Sequence, residues 1–242
     1  MFKMLEKKLR AGIVVKKTYA DETYQKNLVD NIVNIIFKYD LDIFLGPEWL
    51  FLPKDRLYSK SEKEDIIDEL ADKTKSRDTL IIPGSMMWYD DKFFYNTAPV
   101  ISGGKLIKES HKHSDGGSAD LADKRDCFKQ MYMKPNSCLF NWRGNKSGVE
   151  ICSDLGHLNE VLKRSNPSSI PEYFLDLYFF VSCGKSLSPS EMPVKRFRYA
   201  LISDGNVPCA KVLQKEASSL FGVIQPKEEA GRIKIYELYG LS

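Results

Sequence analysis

Three stretches decide the fold class: AGIVV (residues 11–15), LDIFLGPEW (residues 41–49) and TLIIPG (residues 79–84). Each contains a short apolar run, rich in β-branched residues in AGIVV, which is typical of a buried strand. The segments between them, residues 21–40 and 61–75, carry apolar residues at helical spacing. The order β-α-β-α-β predicts an α/β fold in which helices pack outside a sheet.

Two helix-start signals accompany this pattern. Asp21 is a candidate N-cap for the first helix. Ser61, with Glu64 three residues later, has the spacing of a capping box at the start of the second helix.

The rest of the chain adds two predicted hairpins. Residues 93–112 predict one that turns at Gly103 and Gly104, and residues 138–152 predict another that turns near Gly144. No repeat or linker interrupts the chain, so we expect a single domain over residues 1–242.

The remaining segments are predicted individually. Residues 155–163 favour a helix, and residues 193–201 favour a short helix. Residues 113–137 have no clear periodicity and predict a long loop, which in a compact domain is often functional. Further strands are predicted at residues 173–183, 220–224 and 232–238.

Composition limits the classes of function. The 242 residues are 43% hydrophobic and 29% charged, with a net charge of +3 that gives no basis for a nucleic-acid partner. The five cysteines are odd in number and lack CxxC spacing, which indicates free thiols in a reducing compartment. With no apolar leader, no membrane-length run and no phosphate-binding loop, we expect a cytoplasmic protein without membrane attachment or cofactor.

Three reactive side chains lie where predicted strands end. Glu48 follows residues 41–47, Lys112 ends the first hairpin, and Cys152 ends the second. Ligands of α/β sheets bind beyond the carboxyl ends of strands, so these side chains are candidates for one site. A thiol at a strand-to-helix turn is also expected to have a lowered pKa, because the positive helix end favours the thiolate.

The segments that carry these residues are LGPEWLF (45–51), FFYNTAPVISGGKLIKESHK (93–112) and GVEICSDL (148–155). In their order and spacing they resemble the three signature segments of the nitrilase superfamily of carbon–nitrogen hydrolases. The resemblance implies a nitrilase-like α-β-β-α four-layer sandwich. It also implies a catalytic Glu48-Lys112-Cys152 triad, a thioester intermediate, a small-molecule amide or carbamoyl substrate, and a homodimer.

The same resemblance suggests substrate-binding residues. Ser153 follows the nucleophile and would offer its backbone N–H to the oxyanion, while Trp49 would line the pocket wall. Many family members carry a second glutamate that positions the substrate, and this chain has none between Lys112 and Glu150. Asp120 or Asp126 would take that role. Cys-Ser-Asp in place of the Cys-Trp-Glu of nitrile-cleaving members favours amides over nitriles.

Two other functions compete with this prediction. His111, His113 and Asp115 alternate, so on a strand they would share one face and could ligate a metal in a metal-dependent hydrolase. Alternatively, the missing glutamate favours a catalytically impaired binding or assembly protein with the same fold.

Overall fold

The structure is a computed structural model. It describes residues 8–15, 27–53, 56–90, 93–113, 130–131 (backbone only), 138–165, 174–206, 209–217 and 220–241. Helices and strands are numbered below in chain order within these ranges.

Two β-sheets form the centre of the protein. The first has the strand order β15-β16-β1-β2-β4-β6-β5-β3, with β7 and β8 also paired to β6. Its core is parallel, since β2 pairs in parallel with both β1 and β4. The strands of this sheet are β1 (Leu9–Val14), β2 (Ile43–Leu45), β3 (Tyr58–Ser59), β4 (Leu80–Ile82), β5 (Met86–Asp90), β6 (Phe93–Ser102), β7 (Lys105–His111), β8 (Gln130–Met131), β15 (Glu228–Ala230) and β16 (Ile233–Leu238).

The second sheet has the order β14-β13-β12-β11-β10-β9. Its three central strands run parallel, and antiparallel strands close both edges. The strands are β9 (Leu139–Trp142), β10 (Asn145–Ile151), β11 (Leu175–Ser182), β12 (Val194–Asp204), β13 (Cys209–Lys215) and β14 (Phe221–Ile224).

Helices cover the outer faces of both sheets. The helices α1 (Leu28–Lys38) and α2 (Lys60–Thr74) pack on the first sheet, and α3 (His157–Ser165) packs on the second. A further apolar cluster, which includes Ile13 and Phe179, fills the space between the sheets. These four layers confirm the predicted α-β-β-α sandwich.

The described strands confirm both predicted hairpins and the predicted strands of the second half of the chain. The prediction of a short helix over residues 193–201 is wrong, because this segment begins the long strand β12. The first half of the segment is charged but still forms strand, because Lys195 and Arg198 bond to Asp176 of the neighbouring strand β11. The apolar half that follows is buried between β11 and β13.

The capping box of α2 lies two residues earlier than predicted. Ser59, and not Ser61, is the N-cap: its hydroxyl accepts from the backbone N–H of Glu62. In return the Glu62 carboxylate accepts from the Ser59 N–H at 2.8 Å. The pairing of Ser59 with Tyr89 in the sheet fixes where the strand ends, and therefore where the helix starts. The predicted cap Asp21 lies outside the described residues.

Over the described residues, no helix has the length and apolar character required to cross a membrane. The assignment of residues 1–242 to a single domain stays a prediction.

Replacing Ser59 with alanine should lower the free energy of unfolding by about 1 kcal/mol, because the Glu62 N–H loses its acceptor. Ser61→Ala is the matched control and should change stability by less than about 0.5 kcal/mol. Urea denaturation of both variants gives the comparison. A larger loss for Ser61→Ala would restore the cap position predicted from the sequence.

Candidate active site

Strand ends from both sheets meet at one place. Glu48 follows β2, Lys112 follows β7, and Cys152 follows β10. The backbone N–H of Lys112 donates to the carbonyl of Asn96 at 2.9 Å, which extends the β6–β7 ladder to this point. The backbone N–H of Glu48 crosses to the second sheet and donates to the Ser182 carbonyl at 3.2 Å. The structure therefore brings the three predicted residues together between the sheets.

The turn that carries Glu48 is fixed by two glycines. A Cβ on Gly46 would lie 2.4 Å from the Pro83 carbonyl oxygen, and one on Gly84 would lie 2.2 Å from the Pro47 carbonyl oxygen. Gly84 also has a φ of +101°, a region that side chains with a Cβ rarely adopt. The turns after β2 and β4 thus pack backbone against backbone, which leaves little freedom for Glu48.

A buried ion pair forms the centre of the site. The Lys112 ammonium donates to Glu48 Oε1 at 2.7 Å, and Asn96 Nδ2 donates to the same oxygen at 2.8 Å. The Glu48 side chain is fully buried, and the Lys112 side chain is 6% exposed. Glu48 Oε2 is also buried, and no described residue forms a hydrogen bond with it. One carboxylate oxygen is therefore held by two donors, while the other is available as a base.

The environment acts on both charges of this pair. Burial raises the pKa of the Glu48 carboxyl, although Lys112, the Cys152 thiol and Asn96 each act to lower it. Burial also acts to lower the pKa of the Lys112 ammonium, but the negative charges around it, Glu48 foremost, leave that pKa raised. The ammonium is thus held in its charged form beside a carboxylate that accepts a proton more readily than an exposed one.

The environment of Cys152 overturns one expectation. The pKa of the thiol is raised to about 11, first by burial and then by the charge of Glu48. Lys112 and the backbone N–H of Cys183 act in the opposite direction without balancing these effects. The prediction of a lowered thiol pKa is therefore wrong, and Cys152 rests as a thiol.

The helix after Cys152 begins later than predicted, which explains that error. Cys152–Asp154 form a 3-10 turn in which Cys152 has a φ of +49°, and α3 starts only at His157. The N–H groups of Gly156 and Leu158 point to the carboxylate of Glu150, at 3.2 and 2.5 Å. The positive end of the helix therefore faces Glu150 and not the thiol.

Sequence reasoning missed the role of Glu150. Its only signal in the sequence is a carboxylate between the apolar residues Val149 and Ile151, two positions before Cys152. The sequence segment that contains Asn96 gives no sign of its hydrogen bond to Glu48.

The predicted substrate-binding residues are placed as follows. Trp49 is 4% exposed, and its ring centroid lies 5.9 Å from the Lys112 Nζ, so it forms a wall beside the ion pair. Ser153 is partly exposed and lines a cavity of about 400 Å³ together with His113 and His157. Asp120 and Asp126 lie outside the described residues.

The two histidines of the metal hypothesis do not converge. His111 Nδ1 lies 2.8 Å from Thr97 Oγ1, whereas the His113 ring lies against that of His157, with centroids 4.1 Å apart and an angle of 33° between the ring planes. Within the described part of the chain, no group of three His, Cys, Asp or Glu side chains is arranged to hold a metal ion. Asp115, the third residue of the metal hypothesis, lies outside the described residues.

The sequence matches no protein-family model and no curated protein. Similarity to solved structures is extensive. Nit3 of Saccharomyces cerevisiae, a member of branch 10 of the nitrilase superfamily, is 15% identical with a TM-score of 0.63, and the match covers 98% of this chain and 92% of Nit3.

Two further structures are an amidase and a synthetase. A mutant amidase from Nesterenkonia sp. AN1, with the acetamide moiety of fluoroacetamide added covalently at its active site cysteine, is 9% identical with a TM-score of 0.61. That match covers 96% of this chain and 90% of the amidase. A glutamine-dependent NAD+ synthetase from Acinetobacter baumannii is 14% identical with a TM-score of 0.63; the match covers 96% of this chain but only 45% of the synthetase.

These likenesses, together with the layers described above, show that the chain has the carbon–nitrogen hydrolase fold of the nitrilase superfamily. The resemblance that the three sequence segments indicated is confirmed at the level of the fold.

Replacing Lys112 with methionine should destabilise the protein by about 3–5 kcal/mol at about pH 8, because the buried Glu48 loses its cationic partner. With that partner gone, the folded-state pKa of Glu48 rises further above the unfolded value. The folded variant then binds a proton that the unfolded chain releases, so its stability falls as pH increases. Urea denaturation should show a smaller loss at about pH 5.5.

Lys215→Met is the matched control. Lys215 is also buried, but it lies against the rings of Phe174 and Phe221, and burial lowers its pKa. Its replacement should cost at most about 1 kcal/mol. An equal loss at both pH values for Lys112→Met would show that the partner of Glu48 is not what the lysine supplies.

Proposed function

We propose that this chain is an enzyme of the nitrilase superfamily that hydrolyses non-peptide C–N bonds in small amide or carbamoyl substrates, with Cys152 as nucleophile. One observation carries the proposal. A buried carboxylate, Glu48, has one oxygen held by Lys112 and Asn96 and lies beside the Cys152 thiol. A base, a cation and a sulfur in one water-poor site are the groups that acyl transfer requires.

In the first half of the reaction, Glu48 takes the thiol proton as the sulfur attacks the substrate carbonyl carbon. The C=O π electrons move to the oxygen, and the Lys112 ammonium stabilises the resulting oxyanion, with the backbone N–H of Ser153 as the second donor. One such donor is worth about 3 kcal/mol of barrier. The C–N bond then breaks, the amine leaves with the proton from Glu48, and a thioester remains on Cys152.

In the second half of the reaction, Glu48 takes a proton from a water molecule as the water oxygen attacks the thioester carbon. The tetrahedral intermediate collapses, the C–S bond breaks, and sulfur recovers the proton from Glu48. The products are the acid and the free enzyme. Splitting one difficult displacement into two easier ones is the advantage of covalent catalysis.

The electrostatics fit this order of events. Because the pKa of Cys152 is raised to about 11, almost no thiolate exists at neutral pH before substrate arrives. Burial makes Glu48 a stronger base than an exposed glutamate. Proton transfer is therefore coupled to attack, and the positive charge of Lys112 gains importance as negative charge moves from carboxylate to oxyanion.

The structural neighbours support an amide substrate. One of them is an amidase whose active site cysteine takes a covalent acetamide moiety. Cys152 holds the corresponding chemical role in this proposal, and Ser153-Asp154 after it favours amides over nitriles. Trp49 would form the pocket wall, and Asp120 or Asp126 would position the substrate. No step needs a metal or cofactor. Cytoplasmic location and assembly as a homodimer stay predictions.

Incubation with a panel of small amides, followed by mass spectrometry, should reveal an acyl adduct on Cys152 and release of ammonia or amine. Cys152→Ala should abolish the adduct and lower turnover by at least about 10³-fold, because the attacking sulfur is removed. Cys209→Ala, which removes another partly buried thiol, should leave both unchanged.

Turnover by Cys152→Ala at the parent rate would contradict the thiol mechanism. Absence of any adduct or turnover across the panel, with normal folding, would favour the catalytically impaired binding or assembly protein.

A further inference from the structure

Glu150 is a buried carboxylate that the mechanism above does not use. It lies on β10, two residues before Cys152, and is 1% exposed. While its neighbours Val149 and Ile151 face the core between the sheets, Glu150 lies on the opposite face, against α3. It accepts hydrogen bonds from the N–H groups of Gly156 and Leu158 and from the Tyr178 hydroxyl.

These contacts close a loop around the nucleophile. Glu150 stands before Cys152, and Gly156 and Leu158 stand after it, so the carboxylate joins the end of β10 to the start of α3. The Tyr178 hydroxyl ties the same carboxylate to β11. Cys152 itself has a φ of +49°, which a residue with a Cβ adopts only when the surrounding structure imposes it.

We propose that Glu150 is a positioning residue: its carboxylate clasps the turn from Cys152 to Leu155 and so holds the sulfur and the Ser153 N–H in their reactive places. The inference rests on the proposed function for its catalytic consequence. Glu150 lies outside the space between the sheets, because the strand that carries it separates the two, so we expect it to act without touching substrate.

The clasp is sensitive to protonation, because three donors surround the carboxylate. Once Glu150 is protonated, it has a proton of its own to donate, so one of the present donors must turn away or lose its acceptor. Burial raises the pKa of Glu150 to about 7, against the three hydrogen bonds, which lower it. The ionised clasp therefore forms as pH rises through neutrality.

The titratable groups around Glu150 are two carboxylates, Asp154 and Glu191, together with Tyr178, Cys138 and His157. Asp154 of the 3-10 turn raises the pKa of Glu150, and Tyr178 of β11 donates to it. Glu191, on the segment packed against Tyr178, acts on that hydroxyl. The charge of Glu150 also acts to raise the pKa of Cys138. His157 is the first residue of α3, the helix whose N-terminal N–H groups bond to Glu150.

The test compares kcat and KM for the parent, Glu150→Ala and Glu150→Gln between about pH 6 and pH 8. Glu150→Ala should lower kcat about 10- to 100-fold with KM changed less than about threefold, since a shift of about 1 Å at the nucleophile costs about 10²-fold. Glu150→Gln keeps one acceptor oxygen, so its kcat should lie between those of the alanine variant and the parent. It should also lack the rise in kcat that the parent shows as Glu150 ionises.

Asp176→Asn is the matched control. Asp176 is a carboxylate on the adjacent strand β11 whose side chain is only 10% exposed. It accepts from the backbone N–H of Lys146, at the other end of β10. Its folded fraction should keep the parent kcat and pH profile. The positioning role is overturned if folded Glu150→Gln has the kcat and pH profile of the parent, or if Asp176→Asn loses as much kcat as Glu150→Ala.

A second readout separates this inference from the proposed function. Alkylation of Cys152 by iodoacetamide needs no amide turnover, and it should be several-fold slower in both Glu150 variants. If the parent turns over no amide but these variants slow the alkylation, the proposed function fails and the clasp stands. If the variants are alkylated at the parent rate, the clasp fails whether or not amides are hydrolysed.

Discussion

The buried ion pair between Glu48 and Lys112 is the interaction on which the site depends. Removing each charge from water costs several kcal/mol, and a 2.7 Å bond between them offsets this only if the geometry is maintained. The two residues are 64 positions apart in the chain, on turns that leave different strands. The pair therefore forms only when β2 and β7 have reached their places in the first sheet, and it links folding of that sheet to assembly of the site.

The ion pair also determines which proton can move. Lys112 and Asn96 both hold Glu48 Oε1, so Oε2 is the oxygen left to act as a base. The same negative charge helps to raise the pKa of Cys152 to about 11. In the proposed mechanism, the sulfur therefore stays protonated until a substrate carbonyl is present to take the electron pair. The second sheet contributes through the Ser182 carbonyl, which accepts from the Glu48 backbone and holds the sheets together at this end.

The apolar runs predicted the buried strands, and the resemblance of three segments implied the four layers. The positions of Glu48, Lys112 and Cys152 at strand ends indicated that they would lie close together. Sequence-based prediction was wrong where the conformation of a segment depends on its neighbours in the folded protein. Residues 193–201 became strand because β11 and β13 offer backbone partners to a segment that begins with charges. The cap moved from Ser61 to Ser59 because sheet pairing sets the helix start. Neither Glu150 nor the pKa of Cys152 could be predicted, since both depend on groups that only the fold brings near.

The most direct test of the account is a crystal structure of the protein soaked with a small aliphatic aldehyde, which reacts with a nucleophilic thiol to give a thiohemiacetal. The oxygen of this adduct occupies the place of the oxyanion. We expect the adduct on Cys152, with its oxygen about 2.7–3.1 Å from the Lys112 Nζ and Glu48 still bonded to the same ammonium. An unmodified Cys152, or an adduct whose oxygen points away from Lys112, would contradict it.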